Sequence, residues 1–281
     1  MFVRHAGHSP VRHPQRCARK RQLAAVAVLA SPLALASVAD AADLAVKAPA
    51  AARTYNWGGC YVGANAGGSA SGSDFTTIIG SGTHLASADI ALVEEGGNGS
   101  ANGPSWGGGG QVGCNWQSDT IVYGLEGDFD YFRTNPQFIN GTATLSDGAT
   151  AFTLSQMLTT NYLATLRPRL GVAADRNLFY ITGGAAFTKA SYTQSYVDAA
   201  APAGTGVATG SKTFVGWTAG AGWEYAFADH WTLRFEYLFT SFPDKVTGTG
   251  IITDAAGSSN PLQGSANLVI QTARAGVNFK F

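Results

Sequence analysis

Between Val215 and Phe239 the chain alternates. Val215, Trp217, Ala219, Ala221, Trp223, Tyr225 and Phe227 fall on one face, and after Ala228-Asp229-His230 the series resumes with Trp231, Leu233, Phe235, Tyr237 and Phe239. The interleaved positions are Thr218, Gly220, Gly222, Glu224 and Ala226, then Thr232, Arg234, Glu236 and Thr240, with Leu238 as the exception. Side chains of a strand point alternately to its two faces, so this period of two predicts a hairpin with one apolar face and one small or polar face. Tyr123, Leu125, Gly127, Phe129 and Tyr131 repeat the pattern against Gly124, Glu126, Asp128 and Asp130. Ala273, Ala275, Val277, Phe279 and Phe281 repeat it against Arg274, Gly276, Asn278 and Lys280.

The alternation predicts eight strands, at about 57–69, 105–117, 121–133, 160–173, 177–191, 213–227, 231–243 and 266–281. Each is long enough for the roughly 9–11 residues of a tilted membrane-crossing strand. Ser118-Asp119-Thr120, Ala174-Asp175-Arg176 and Ala228-Asp229-His230 form short turns, whereas 70–104, 134–159, 192–212 and 244–265 are long connections rich in Gly, Ser, Thr, Ala and Asn. Short turns at one end and long loops at the other are the layout of a membrane barrel. The predicted fold is therefore all-β, a single eight-stranded antiparallel up-and-down transmembrane β-barrel over 57–281. A soluble lipid-binding barrel of the lipocalin type is the alternative. The heavy aromatics argue against it, with Trp57, Trp116, Trp217, Trp223 and Trp231 as candidate interface anchors. Pro168 has no N–H for a ladder and predicts a local irregularity or bulge in the fourth strand.

Composition sharpens this reading. The chain is 45% hydrophobic and 13% charged, against about 25% charged in ordinary soluble domains. Mean hydropathy is nevertheless +0.03, and after the N-terminal region no apolar run approaches the roughly 18 residues of a spanning helix. A barrel reconciles the two, because half of each strand can be polar. Residues 1–41 read as a cleaved secretory leader: Arg16, Arg19, Lys20 and Arg21, then apolar Leu23 to Leu35, then Ala39-Asp40-Ala41. Ser31-Pro32 interrupts the apolar run and weighs against an anchor helix. Residues 42–56 read as a flexible periplasmic lead-in. Without the leader the chain carries 12 basic and 17 acidic residues, a balance that gives no footprint for nucleic acid. Cys17 leaves with the leader. Cys60 and Cys114 remain, on the apolar faces of neighbouring strands near their periplasmic ends. They form a cross-strand disulfide or stay as two small hydrophobes, and an oxidising compartment favours the disulfide.

Several stretches together resemble a known family. They are Trp57 to Asn65 (WGGCYVGAN), Gly110 to Gln117 (GQVGCNWQ), Tyr123 to Asp128 (YGLEGD), Thr165 to Gly171 (TLRPRLG), Tyr180 to Ala186 (YITGGAA), the alternating hairpin, and Ala275 to Phe281 (AGVNFKF). The chain is similar over nearly all of its mature length to the alphaproteobacterial outer-membrane immunogenic proteins, small barrels of the porin family. The resemblance implies residence in the cell outer membrane and the barrel fold. It also implies that Phe279 and the terminal Phe281 form the signal read by the barrel-assembly machinery. It says little about activity, because fold does not fix function.

The candidate chemistry lies on the inward face. Glu126, Asp128, Asp130, Glu224 and Glu236 supply negative charge, and Arg167, Arg169, Arg234 and Arg274 supply positive charge. An eight-stranded barrel is only wide enough for side chains to fill it, and buried charges must be paired. The expectation is a charge network that plugs the lumen, with Glu224 directly across from Arg234. The rival reading of the same residues is a small porin pathway for ions or solutes. Gly108 to Gly113 matches a dinucleotide-binding glycine pattern but leads into a strand rather than a helix, so the match is accidental. Asp128-Phe129-Asp130 lacks further metal ligands. His84, Ser87 and Asp89 in the first loop offer only a forced hydrolase triad, of the kind a lipid-modifying barrel enzyme would need. The expected protein is thus a structural, surface-exposed antigen without enzymatic activity or cofactor. Its expected partners are outer-membrane lipid and lipopolysaccharide, the assembly machinery, and host surfaces reached by the loops.

Overall fold

A computed structural model describes residues 55–141 and 143–281. The predicted leader and residues 42–54 of the predicted lead-in lie outside the described residues. The elements in order are β1 (Gly59–Ile79), α1 (Ser87–Gly96), β2 (Gly99–Ser118), β3 (Ile121–Thr134), β4 (Gln137–Ile139), β5 (Ala143–Thr144), β6 (Ala151–Ala174), β7 (Asn177–Asp198), β8 (Thr205–Ala226), β9 (Trp231–Thr253) and β10 (Ser259–Lys280). Eight strands close a ring. β1 pairs β2, β2 pairs β3, β3 pairs β6, β6 to β10 pair in sequence, and β10 returns to β1, all antiparallel. The short β4 and β5 pair with β6 alone. This is the all-β barrel that the alternation predicts.

The tight turns sit at the periplasmic end. Asp119-Thr120 joins β2 to β3, and Asp175-Arg176 joins β6 to β7. Asp119 and Asp175 have φ of 52° and 53°, a left-handed conformation that Asp tolerates better than most residues. Pro168 brings a local irregularity without a bulge: the β6–β7 pairing lapses at Arg167 and Pro168, while β6 keeps one register with β3 and with β7 on either side. The Pro168 carbonyl instead accepts a hydrogen bond from Thr182 Oγ1 at 2.9 Å.

The strands run further than predicted. β6 has 24 residues, β9 has 23, and β7, β8 and β10 have 22 each. Most of the four long connections expected as loops is therefore strand, and the first of them also carries α1. The reason is a reversal of amphipathic phase. In the periplasmic half of β7, Phe179 and Ile181 face outward while Thr182 faces in; in the outer half Tyr192 and Tyr196 face in while Ser191, Thr193 and Ser195 face out. In β10, Val277 is outward and Asn278 and Arg274 are buried, but further along Ile270, Leu268 and Leu262 are buried and Gln263 is exposed. One half is built for lipid outside, the other for water outside. A 22-residue strand tilted by about 40° climbs roughly 55 Å along the axis, about twice the roughly 25 Å apolar band of an outer-membrane barrel.

The inward side chains stack in layers. Tyr55, Trp57, Val122, Ala173, Leu178, Tyr180 and Ala226 close the periplasmic end. Above the charged layer lies an apolar one that includes Phe132, Leu158, Leu163, Phe214, Phe242 and Leu268. A polar tier follows, where Tyr192 Oη donates to Gln156 at 2.5 Å and Gln194 Nε2 donates to Thr77 Oγ1 at 2.8 Å. A second apolar layer, including Ile79, Phe152, Leu154, Tyr196 and Ile252, is capped by Leu85 and by Val93 of α1. Trp57 is thus buried rather than an interface anchor. Its ring meets Tyr55 edge-on at 4.8 Å between centroids, so Tyr55, expected in the free lead-in, already belongs to the barrel floor. Trp116, Trp217 and Trp231 are outward and exposed.

Candidate functional site

The charged layer draws on five strands. Glu126, Asp128 and Asp130 come from β3, Arg167 and Arg169 from β6, Glu224 from β8, Arg234 and Glu236 from β9, and Arg274 from β10, all buried. Arg167 Nη2 lies 2.8 Å from Glu126 and 2.7 Å from Asp128, and its Nη1 lies 3.3 Å from Glu236. Arg234 bridges Glu126 at 2.5 Å and Glu236 at 3.0 Å. Arg274 holds Glu236 at 2.7 Å, Asp128 at 3.2 Å, and also Asp130. Arg169 reaches Glu224 at 2.9 Å. The Cα register does set Glu224 against Arg234, yet these two make no ion pair. Inside a narrow ring a guanidinium reaches across the lumen as easily as to the adjacent strand, and Arg234 is taken by Glu126 and Glu236.

Uncharged groups that the charge pattern alone does not flag complete the network. Tyr61 Oη donates to Glu126 at 2.5 Å and accepts from Arg169 Nη1 at 2.8 Å. Tyr180 Oη donates to Glu236 at 3.0 Å, and its ring lies 4.0 Å beneath the Arg169 guanidinium. Thr165 Oγ1 donates to Asp128 at 2.6 Å, and Asn65 Nδ2 donates to Asp130 at 2.9 Å. Parity carries the available signal, since each shares its strand's inward face with a charge or a glycine. Glycine lets the walls close in. A Cβ on Gly109 would stand 2.0 Å from the Phe129 carbonyl oxygen, and the glycine run of β2 is strand, paired with β1 on one side and β3 on the other. Beside Asn65, Asp130 and Arg274 is a cavity of about 10 Å³, at the lower limit for one water molecule. Among the described residues no cluster suits a metal ion.

Cys60 lies directly opposite Cys114, and their sulfurs are bonded at 2.00 Å. Phe279 packs edge-on against Trp231 at 5.1 Å, while Phe281 is 70% exposed. At the outer end, the first-loop triad is not assembled. Asp89 accepts the Ser146 amide at 2.8 Å. The two ring nitrogens of His84 are engaged by Asp198 at 2.7 Å and Asp254 at 3.0 Å. Burial alone would lower the His84 pKa, but these hydrogen bonds and the two carboxylate charges outweigh it and raise it.

Residues 32–281 match the family described as outer membrane protein beta-barrel domain. The chain belongs to this outer-membrane β-barrel family. Among its relatives is the 31 kDa outer-membrane immunogenic protein of Brucella melitensis biotype 1, 34% identical over 264 residues that cover 90% of this chain and 98% of the relative. The 25 kDa outer-membrane immunogenic protein of Brucella abortus biovar 1 is 29% identical over 65% of this chain and 69% of that one. The crystal structure of OprG from Pseudomonas aeruginosa aligns with 81% of this chain and 99% of its own, at 8% identity and a TM-score of 0.40, too distant to carry an argument. This outer-membrane β-barrel protein therefore resides in the bacterial outer membrane, with the apolar half of its ring as the lipid-facing half.

Proposed function

We propose that the barrel is a closed, structural and surface-exposed component of the outer membrane whose lumen network acts as a plug. The observation that supports this best is the layering: the buried ion pairs have an apolar cluster on either side of them along the axis. The charges hold one another, so they serve the fold rather than a permeating ion. The names of the Brucella relatives support an antigenic surface, and the outer half supplies such a surface. The exposed Phe281 at the end of β10 fits an address for the assembly machinery. No catalytic role enters this reading, because the ring nitrogens of His84 are both occupied.

Planar-bilayer recording of the refolded barrel tests the proposal, with folding first certified by a gel shift between boiled and unboiled samples. Silence is expected. Discrete steps that vanish on denaturation would instead establish the small-porin reading and make Arg167, Arg234 and Arg274 selectivity residues.

A further inference from the structure

The basic residues of the described chain fall in three places. Arg167, Arg169, Arg234 and Arg274 are inside the lumen, and Arg176 and Lys280 are at the periplasmic end. The remaining four, Arg133 on β3, Lys189 on β7, Lys212 on β8 and Lys245 on β9, are exposed and lie in one cross-strand row of the wall. The register fixes that row. Lys189 is the Cα partner of Thr213, Lys245 adjoins Val246 opposite Ala266, and Arg133 follows Tyr131 opposite Tyr162. Lys212, opposite the buried Ala190, has inward parity but is exposed where β8 loses its pairing with β9.

Along this row the outer surface changes from apolar to polar. Just beneath it are Tyr131, Phe187, Val215 and Trp217, all exposed. The ladder lapses there too. β8–β9 pairing breaks between Thr209↔Thr249 and Trp217↔Ser241. Beside the break, Pro243, Asp244 and Lys245 bulge opposite Asn267, with a register shift against β10. One carboxylate sits within the arc, Asp244, 2.9 Å from Lys212. Asp74 lies on β1 and is tied to Asn267. Beyond the arc, the described residues include no Lys or Arg at all, only His84 and the carboxylates of Asp89, Glu94, Glu95, Asp147, Asp198 and Asp254. An acidic cap stands away from the membrane, and a basic arc stands where the lipid surface must end.

We propose that Arg133, Lys189, Lys212 and Lys245 bind the phosphates of outer-leaflet lipid. The inference names the residues that would make the lipid partnership expected from the sequence. Long basic side chains can lay their methylenes along the apolar wall and lift their charges to the headgroup level, and aromatic rings mark that interface from below. A multiply phosphorylated amphiphile is the ligand that fits, with acyl chains on the apolar wall and phosphates on the arc.

The test is a titration of the refolded, detergent-solubilised barrel with bisphosphorylated lipid A, alongside fully dephosphorylated lipid A. The wild type is expected to prefer the phosphorylated form in a salt-sensitive manner. K189Q/K212Q/K245Q is expected to bind it roughly 10²-fold more weakly, at about fivefold per cation near an anionic surface, while K189R/K212R/K245R keeps the affinity. The gel shift on boiling certifies each variant as folded. Unchanged affinity in the glutamine variant would overturn the proposal, as would displacement of lipid A by equimolar inorganic phosphate, which would make the arc a site for free anions. Either failure leaves the closed-lumen reading standing, since that is decided by conductance.

Discussion

Arg234 illustrates how burial chooses partners. Its nearest strand neighbour on the same face is Glu224, yet its bonds go to Glu126 and Glu236. Double-mutant cycles check this in urea unfolding of the vesicle-inserted barrel. Groups in contact couple by about 0.5–3 kcal/mol, so Glu224→Gln should couple to Arg169→Met within that range and to Arg234→Met by much less. A larger coupling to Arg234 would put the hairpin pair back in charge. His84 gives a pH dependence. Its folded pKa is raised above the ordinary value of 6.5, so its contribution is full below about 6.5 and is lost as pH rises through the higher folded value. Asp198 and Asp254 run the other way. Burial opposes their ionisation, but the amide and His84 hydrogen bonds overcome it and hold both below 3.8, so their contribution is lost as pH falls below the carboxylate range. The cap should be tightest between those limits. Amide-exchange protection of α1 should fall in the wild type as pH rises above 6.5 and through the raised His84 value, and His84→Gln should flatten that fall.

At the scale of elements, the membrane half was legible and the outer half was not. Phe235 and Tyr237 against Arg234 and Glu236 announce a strand, and Asp119 and Asp175 mark its turns. In the outer half, however, the outward positions are Ser191, Thr193, Ser195, Thr247 and Thr249, the composition of a loop, and the apolar parity has changed sides. Alternation read in one phase stops where the phase reverses. The α1 segment is short, with Ala86 at its N-cap making no side-chain cap bond, so it too gives little local signal. The inward charges were visible because Arg and Glu between glycines and aromatics have nowhere else to go. Their partners were not, because they depend on distances across the ring. The paired cysteines act at this scale as well, fixing the β1–β2 register at its periplasmic end. Cys60→Ser/Cys114→Ser should lower unfolding stability by roughly 2–4 kcal/mol, the usual range for such a crosslink, while the boiled-versus-unboiled gel shift survives. An unchanged midpoint would show that the ladder alone sets the register.

For the whole molecule, the two halves make one continuous wall serving two solvents, with a basic arc at their border and an acidic cap beyond. The ring closes only where β1 meets β10, from Tyr61 opposite Lys280 to Ile79 opposite Leu262. That seam joins the first strand made to the last. Until the final residues emerge, the backbone donors and acceptors along one edge of β1 have no permanent partner, and a long bare edge invites pairing with another chain. Contacts this distant in sequence also form slowly. Whatever part of the sheet forms before β10 arrives keeps an open edge, and the time before seam closure is when the protein is most exposed to aggregation.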